Sequence, residues 1–179
     1  MSRIYVEVLH KRPVLTNACA ALVVAASGDC LSQWIERRFL GVAKPYDAYR
    51  SASLGVWGFV WMGPSATFWY RLLEQRLGPG RVVAKVFLNQ LIMAPAHNGL
   101  FYLFSECTKK ESGLLERYRR RMNQEFLPTM MNSMFYWIPT QALNFTFVAP
   151  HLRPLVMNLA LAIWTANVSY RGHRPYKEV

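Results

Sequence analysis

Five stretches of this chain contain no Asp, Glu, Lys or Arg: residues 13–28, 51–70, 86–105, 126–152 and 154–170. Charge is gathered into the segments between them. An α-helix rises about 1.5 Å per residue, so roughly 20 apolar residues cross a hydrocarbon core of about 30 Å. The second, third and fourth stretches reach that length. A soluble helix would set a charged face opposite an apolar stripe. Here the charge stands at the ends of the runs, while Trp57, Trp61, Trp69, Tyr70, Trp137, Trp164 and Tyr170 lie within them. The pattern predicts an all-α fold: a polytopic helical membrane protein with four or five transmembrane helices and short basic connectors.

The chain, 1–179, reads as a single integral membrane domain. Ile4, Val8 and Leu9, followed by Lys11 and Arg12, suggest a short interfacial segment over about 1–12. The apolar runs then cover about 13–35, 51–73, 82–105, 126–148 and 154–170. Gly55 and Gly58 would let another helix approach closely, and Gly78-Pro79-Gly80 is a turn signal. Residues 111–122 hold the helix formers of a surface helix. Pro128 and Pro139 interrupt the fourth run, and a break over 150–154 precedes the fifth. A proline inside a membrane helix removes a backbone hydrogen bond that neighbours must repair. Four spans with one tilted or re-entrant element, or five spans, both satisfy the pattern. No internal repeat stands out.

Composition changes this picture in one respect. The net charge is +11, with 21 Lys and Arg against 10 Asp and Glu. Such an excess serves nucleic-acid binding, attraction to anionic lipid, or topology. Basic residues occupy every connector, which favours lipid and topology. Only Arg117, Arg119, Arg120 and Arg121 cluster tightly enough to hold an acidic partner. The 21 basic residues divide between the two faces of a five-span arrangement with no strong bias, so orientation is only weakly indicated. The N-terminus has neither the cleavage pattern of a secretory signal nor the acid-poor character of a transit peptide, since Glu7 lies in it. Cys19 and Cys30 fall about 16 Å apart on one helix, too far for a disulfide, and no metal-ligand spacing occurs.

Polar groups at membrane depth are costly unless paired, so they mark helix contacts, aqueous cavities or functional sites. Asp29 is the sharpest, with Gln33 one turn on. Asn89, Met93 and His97 follow one helical line, and Gln90 and Asn98 the next. Gln141 and Asn144 lie beyond Pro139. These faces on three runs suggest a shared hydrophilic path, with a charged, water-lined Asp29 favoured over a protonated one. Each residue taken singly is more economically an interhelical hydrogen bond. The chain has no nucleophile elbow, Walker loop, dinucleotide fingerprint or zinc-protease pair. It is therefore expected not to be an enzyme and to need no cofactor or metal.

From end to end, these segments resemble the Mpv-seventeen / 22-kDa peroxisomal membrane protein family. The first run carries Pro13, Thr16, Gly28, Asp29 and Gln33. The second has Gly63, Pro64, Trp69, Tyr70 and Leu73, and the third Lys85, Gln90 and Pro95. The most specific part is Trp137, Pro139, Gln141, Asn144, Phe145, Val148 and Arg153, with Trp164 and Ser169 beyond. The chain departs from the pattern at Thr67 (usually His), Asn89 (usually Asp), Asn167 (usually Tyr) and at Val148-Ala149-Pro150, where proline is displaced by one. Arg50-Ser51-Ala52-Ser53 and Met62-Gly63-Pro64 look most like the Mpv-seventeen-like-protein-2 branch. The resemblance implies a membrane protein of the mitochondrial inner membrane, less often of peroxisomes, with a channel-like role for small polar metabolites; a monomer this small would hold only a narrow path, which suggests a homo-oligomer. For the branch it implies instead a membrane-anchored factor in mitochondrial ribosome assembly. Membrane lipids are partners on either reading.

Overall fold

The computed structural model describes residues 11–39, 43, 45–78, 81–109, 111–147 and 153–173. Among these the regular structure is entirely helical and forms five rods. α1 is Pro13–Phe39. α2 is Ala48–Trp57, continued through a π-helical turn at Gly58–Met62 into Gly63–Leu77. α3 is Val82–Leu88, a π turn at Asn89–Met93, and Ala94–Cys107. α4 is Leu114–Arg121, a π turn at Met122–Phe126, and Leu127–Phe147. α5 is Arg153–His173. The expected all-α class is what the chain forms. Among the described residues one unbroken helix, α1, is long and apolar enough by length and composition to cross a membrane; Leu159–Tyr170 in α5 is a shorter apolar helix. The interfacial segment expected over 1–12 lies outside the described residues except for Lys11 and Arg12.

The three π turns have one cause. Pro64, Pro95 and Pro128 each stand two residues beyond a π turn. A proline ring collides with the carbonyl four residues earlier and brings no N–H. Widening the turn before it makes room, so Gly63 N–H reaches back five residues to Gly58 O and Ala94 N–H to Asn89 O. The helix bends its hydrogen-bond ladder without ending. Pro128, expected to interrupt the fourth run, therefore sits inside a continuous α4; Pro139, expected to do the same, lies within that helix with no π turn before it.

The chain divides into two compact units, Met1–Arg81 and Val82–Val179. In the first, α1 and α2 form an antiparallel hairpin. Of the buried alanines of α1, Ala21 and Ala25 lie against Gly58 of α2 and Ala18 against Gly63, while Gly55 faces Ala26 and Leu22. A Cβ on Gly58 would strike the Ala21 carbonyl, and one on Gly63 the Ala18 backbone. Asn17 Nδ2 donates to Thr67 Oγ1 at 2.9 Å, and Thr67 Oγ1 in turn donates to Gly63 O. Thr67, where the resembling family usually has histidine, thus ties the two helices.

In the second unit α3 and α4 run antiparallel, with Tyr102 and Thr129 sharing a buried hydroxyl–hydroxyl hydrogen bond. The segment expected as a surface helix over 111–122 is instead the start of α4, and its Tyr118 and Met122 pack over Gly99 of α3. α5 returns along α4: Tyr136 stacks on Trp164 with centroids 5.5 Å apart and donates to Ala160 O at 2.7 Å.

Candidate functional site

Each unit carries a buried carboxylate gripped by arginine. In the first, Asp29 is fully buried on α1. Its Oδ2 accepts from Gln33 Nε2 at 2.8 Å and from Ser51 Oγ at 2.6 Å. Its Oδ1 lies 2.7 Å from Arg50 Nε, an ion pair not aligned as a hydrogen bond. Arg50 sits in the first turn of α2, where Asp47 caps the helix by accepting the Arg50 N–H at 3.0 Å. From there its guanidinium forks onto Glu36, with Nη1 to Oε2 at 2.9 Å and Nη2 to Oε1 at 2.7 Å. Gln33 completes the connection, donating to Asp47 O and accepting the Asp47 N–H. Ser32 donates to Glu36 at 2.8 Å, and Tyr46 to Ser51 at 2.8 Å. Burial alone would lower the Arg50 pKa, but the Glu36 hydrogen bonds and the Asp29 charge prevail and raise it above the usual guanidinium value.

In the second unit, Glu106 near the end of α3 is fully buried and meets three cations. Lys109 Nζ donates to Oε1 at 2.7 Å, Arg121 Nε to Oε1 at 3.3 Å, and Arg117 Nε to Oε2 at 3.1 Å. Arg117 also holds the connector, donating to the carbonyls of Glu106, Glu111 and Ser112. Further up α3, Asn98 donates to Ala94 O and contacts Met130 Sδ of α4. Ser133 of α4 donates to Gln90 Oε1 at 3.3 Å, while the buried Gln90 Nε2 has no hydrogen-bond partner among the described residues.

These contacts sort the polar residues singled out by sequence. Asp29 and Gln33 belong to the Arg50 cluster. Gln90 and Asn98 face α4, whereas Asn89 and His97 are half-buried. This is the division into two neighbouring helical lines that the spacing suggests, with the Gln90 and Asn98 line turned inward. Gln141 is buried on α4; the side chains of Asn144, Phe145 and Arg153 lie outside the described residues, as does 148–150. Gly28, Gly63 and Trp164 are buried, Pro64, Trp69, Pro95 and Trp137 half-buried, and Tyr70 and Pro139 exposed. Of the arginine cluster, Arg117 and Arg121 turn inward to Glu106, while Arg119 and Arg120 are exposed, Arg120 pairing with Glu116 at 2.8 Å. Cys19, Cys30 and Cys107 are free thiols.

Sequence reasoning missed the partners. Arg50, Glu36 and Glu106 sit at the rims of charge-free runs, where the sequence does not distinguish an inward charge from a solvated one. The usable signal was Asp29 itself: a buried carboxylate requires a cation, and Arg50 opens the next run. Asp29 is thus charged-paired inside a helix contact, not water-lined as expected.

The arrangement defines an all-helical protein whose helical hairpins are pinned by buried ion pairs, without a catalytic constellation among the described residues. Residues 110–169 match the model of the Mpv17 / PMP22 family. Over nearly its whole length the chain is similar to Protein sym1 of Aspergillus oryzae, at 31% identity over 173 residues covering 94% of this chain and 96% of that protein. It is 27% identical to the mitochondrial inner membrane protein Mpv17 of Danio rerio over 96% of this chain and 97% of the relative. With peroxisomal membrane protein 2 of Bos taurus it shares 26% identity over 94% and 87%. No solved structure matches the chain. The chain belongs to the Mpv17 / PMP22 family. The relatives' names carry the localisation expected from sequence, the mitochondrial inner membrane with the peroxisomal membrane as alternative.

Proposed function

We propose that this protein is a polytopic, non-enzymatic membrane protein that lets small polar solutes pass across an organelle membrane, assembled as a homo-oligomer. The observation that carries the reading is the polar interior of the second unit. Gln90, Asn98, Thr129, Ser133, Gln141, Thr165 and Ser169 are buried on three helices that present apolar residues such as Phe87, Leu91, Phe135 and Ile163 outward. These polar groups share the interior with Phe101, Tyr102, Met130 and Trp164, while large apolar side chains stand outside, which suits helices whose outer faces meet lipid. The charge-free runs 51–70 and 86–105 each lie within one continuous rod, α2 and α3, so the π turns do not shorten the apolar length available. The buried amides and hydroxyls carry no formal charge, which supports passage of neutral polar solutes as readily as of ions.

The competing reading, a membrane-anchored scaffold for the mitochondrial ribosome, draws on the arginines of 117–121. It is less well supported, because Arg117 and Arg121 are committed to Glu106. Purified protein in planar bilayers is expected to give discrete conductance steps. Silence at verified insertion, together with co-sedimentation of the protein with a ribosomal subunit, would replace the channel by the scaffold.

A further inference from the structure

The rim of the first unit, where α1 ends and α2 begins, has a surface that neither the ion-pair cluster nor a solute path uses. Arg37 and Arg38 close α1 and are both exposed. The acids beside them are already engaged: Glu36 and Asp29 hold Arg50, and Asp47 caps α2. Among the described residues no carboxylate pairs with Arg37 or Arg38, and the sequence from 39 to 46 contains no acid. Arg37 is oriented all the same. Its Nε donates to Gln33 O at 3.2 Å and its guanidinium lies over the Tyr46 ring, 5.8 Å from the centroid. Both Nη atoms are left to act as a fork.

The same end of the hairpin carries exposed aromatic rings, Tyr46 against Arg37 and the others on nearby residues of the chain. Trp34 and Phe39 meet edge to face at 5.4 Å and are 51% and 67% exposed, and Tyr46 and Tyr49 are exposed beside them. Two causes compete for this arrangement. Cations in the last turn of a helix complement its dipole, which accounts for the arginines but not for the rings. Aromatic residues gather at headgroup depth in a bilayer, and a paired guanidinium fork matches phosphate geometry. The second cause accounts for both.

We propose that Arg37 and Arg38, framed by Trp34, Phe39 and Tyr46, bind the phosphate of an anionic phospholipid at the end of the α1–α2 hairpin. The inference rests on the membrane reading above but not on conduction. At about fivefold per guanidinium near a membrane surface, the pair gives roughly a thirtyfold preference for anionic over zwitterionic lipid.

The test uses the full-length protein purified in detergent micelles with equal phosphatidylglycerol and phosphatidylcholine, with retained lipid counted by native mass spectrometry. Wild type is expected to retain phosphatidylglycerol preferentially. Arg37→Gln/Arg38→Gln should lose that preference, while Arg71→Gln/Arg76→Gln, in the last turns of α2, should keep it. Equal retention of the two lipids by wild type, or an unchanged preference in the Arg37/Arg38 variant, would overturn the site. Displacement of the lipid by a short RNA would make the surface a nucleic-acid site instead and overturn the lipid assignment. A protein silent in bilayers that still selects phosphatidylglycerol would sink only the conduction reading. One released by alkaline carbonate would sink both.

Discussion

At the level of single residues, the buried carboxylates organise the molecule's charge. Asp29 and Glu106 are fully buried, and each meets arginine from the helix that follows. Removing one partner of a buried ion pair leaves an uncompensated charge and costs about 3–5 kcal/mol. Arg50→Ala is therefore expected to lower thermal stability in detergent by that order. The double variant Asp29→Asn/Arg50→Ala should lose less than the sum of the single changes, because the fully buried Asp29 charge is then not stranded and only Glu36 loses its cation; strict additivity in the cycle would deny the coupling. In the second unit Glu106→Gln strands Arg121 and should destabilise strongly, whereas Arg120→Gln, whose pair is exposed, should change stability by about 0.5 kcal/mol or less. Equal melting shifts for these two would contradict the geometry. Because Asp29 is fully buried in the helix contact beside Arg50, away from any water-lined path, Asp29→Asn should leave the reversal potential of any conductance close to that of wild type. Asp29 and Gln33 were legible from sequence because they interrupt an apolar run. Their partners were not, because a charge at a rim looks alike whether it points to water or inward.

Among the helices, glycine and proline set the packing. Gly55, Gly58 and Gly63 all lie on α2, yet their surroundings differ. A Cβ at Gly55 would sit 3.6 Å from Ala26 and Leu22, ordinary contact, while at Gly58 or Gly63 it would run into the backbone of α1. Gly55→Ala should therefore be nearly neutral, and Gly58→Ala or Gly63→Ala should cost about 1–3 kcal/mol by forcing α1 away. Thermal unfolding of the three single variants checks this, and a Gly55→Ala loss matching the other two would refute the close approach. The sequence pointed to Gly55 and Gly58 as small residues at a helix contact, but spacing alone could not rank them. The helices themselves were legible from the charge-free runs, with their ends misplaced by a few residues. The start of α4 was the larger miss: an arginine-rich segment looks solvated until a buried acid appears opposite it. Nor could the prolines be read correctly one at a time. The same offset from a π turn recurs at Pro64, Pro95 and Pro128, and it converts an expected break into a widened turn within a continuous rod.

For the molecule as a whole, the connectors are not equivalent: the sequence marks a turn at Gly78, whereas Gly113 falls within the segment expected as a surface helix. Gly78 follows α2 with φ of 70°, and a side chain added there would meet nothing within 4 Å. It falls close to the boundary between the two units, where the first ends at Arg81. Gly113 has nearly the same backbone, φ of 73°, and equally open space. What differs is its surroundings along the chain. Gly113 lies inside the loop that Arg117 closes, its own carbonyl accepting the Arg117 N–H at 3.1 Å while the Arg117 side chain holds Glu106, Glu111 and Ser112. Lengthening a free loop adds only about 0.6 kcal/mol for each doubling, but lengthening this one separates the first turn of α4 from the carboxylate it grips. A short protease site inserted after Gly78 should therefore leave the unfolding temperature near that of wild type, and the same insertion after Gly113 should lower it by roughly 6–12 °C if about 3 kcal/mol of the clamp is lost. Matching melting curves for the two insertions would show that the Glu106 clamp does not hold α4 in place.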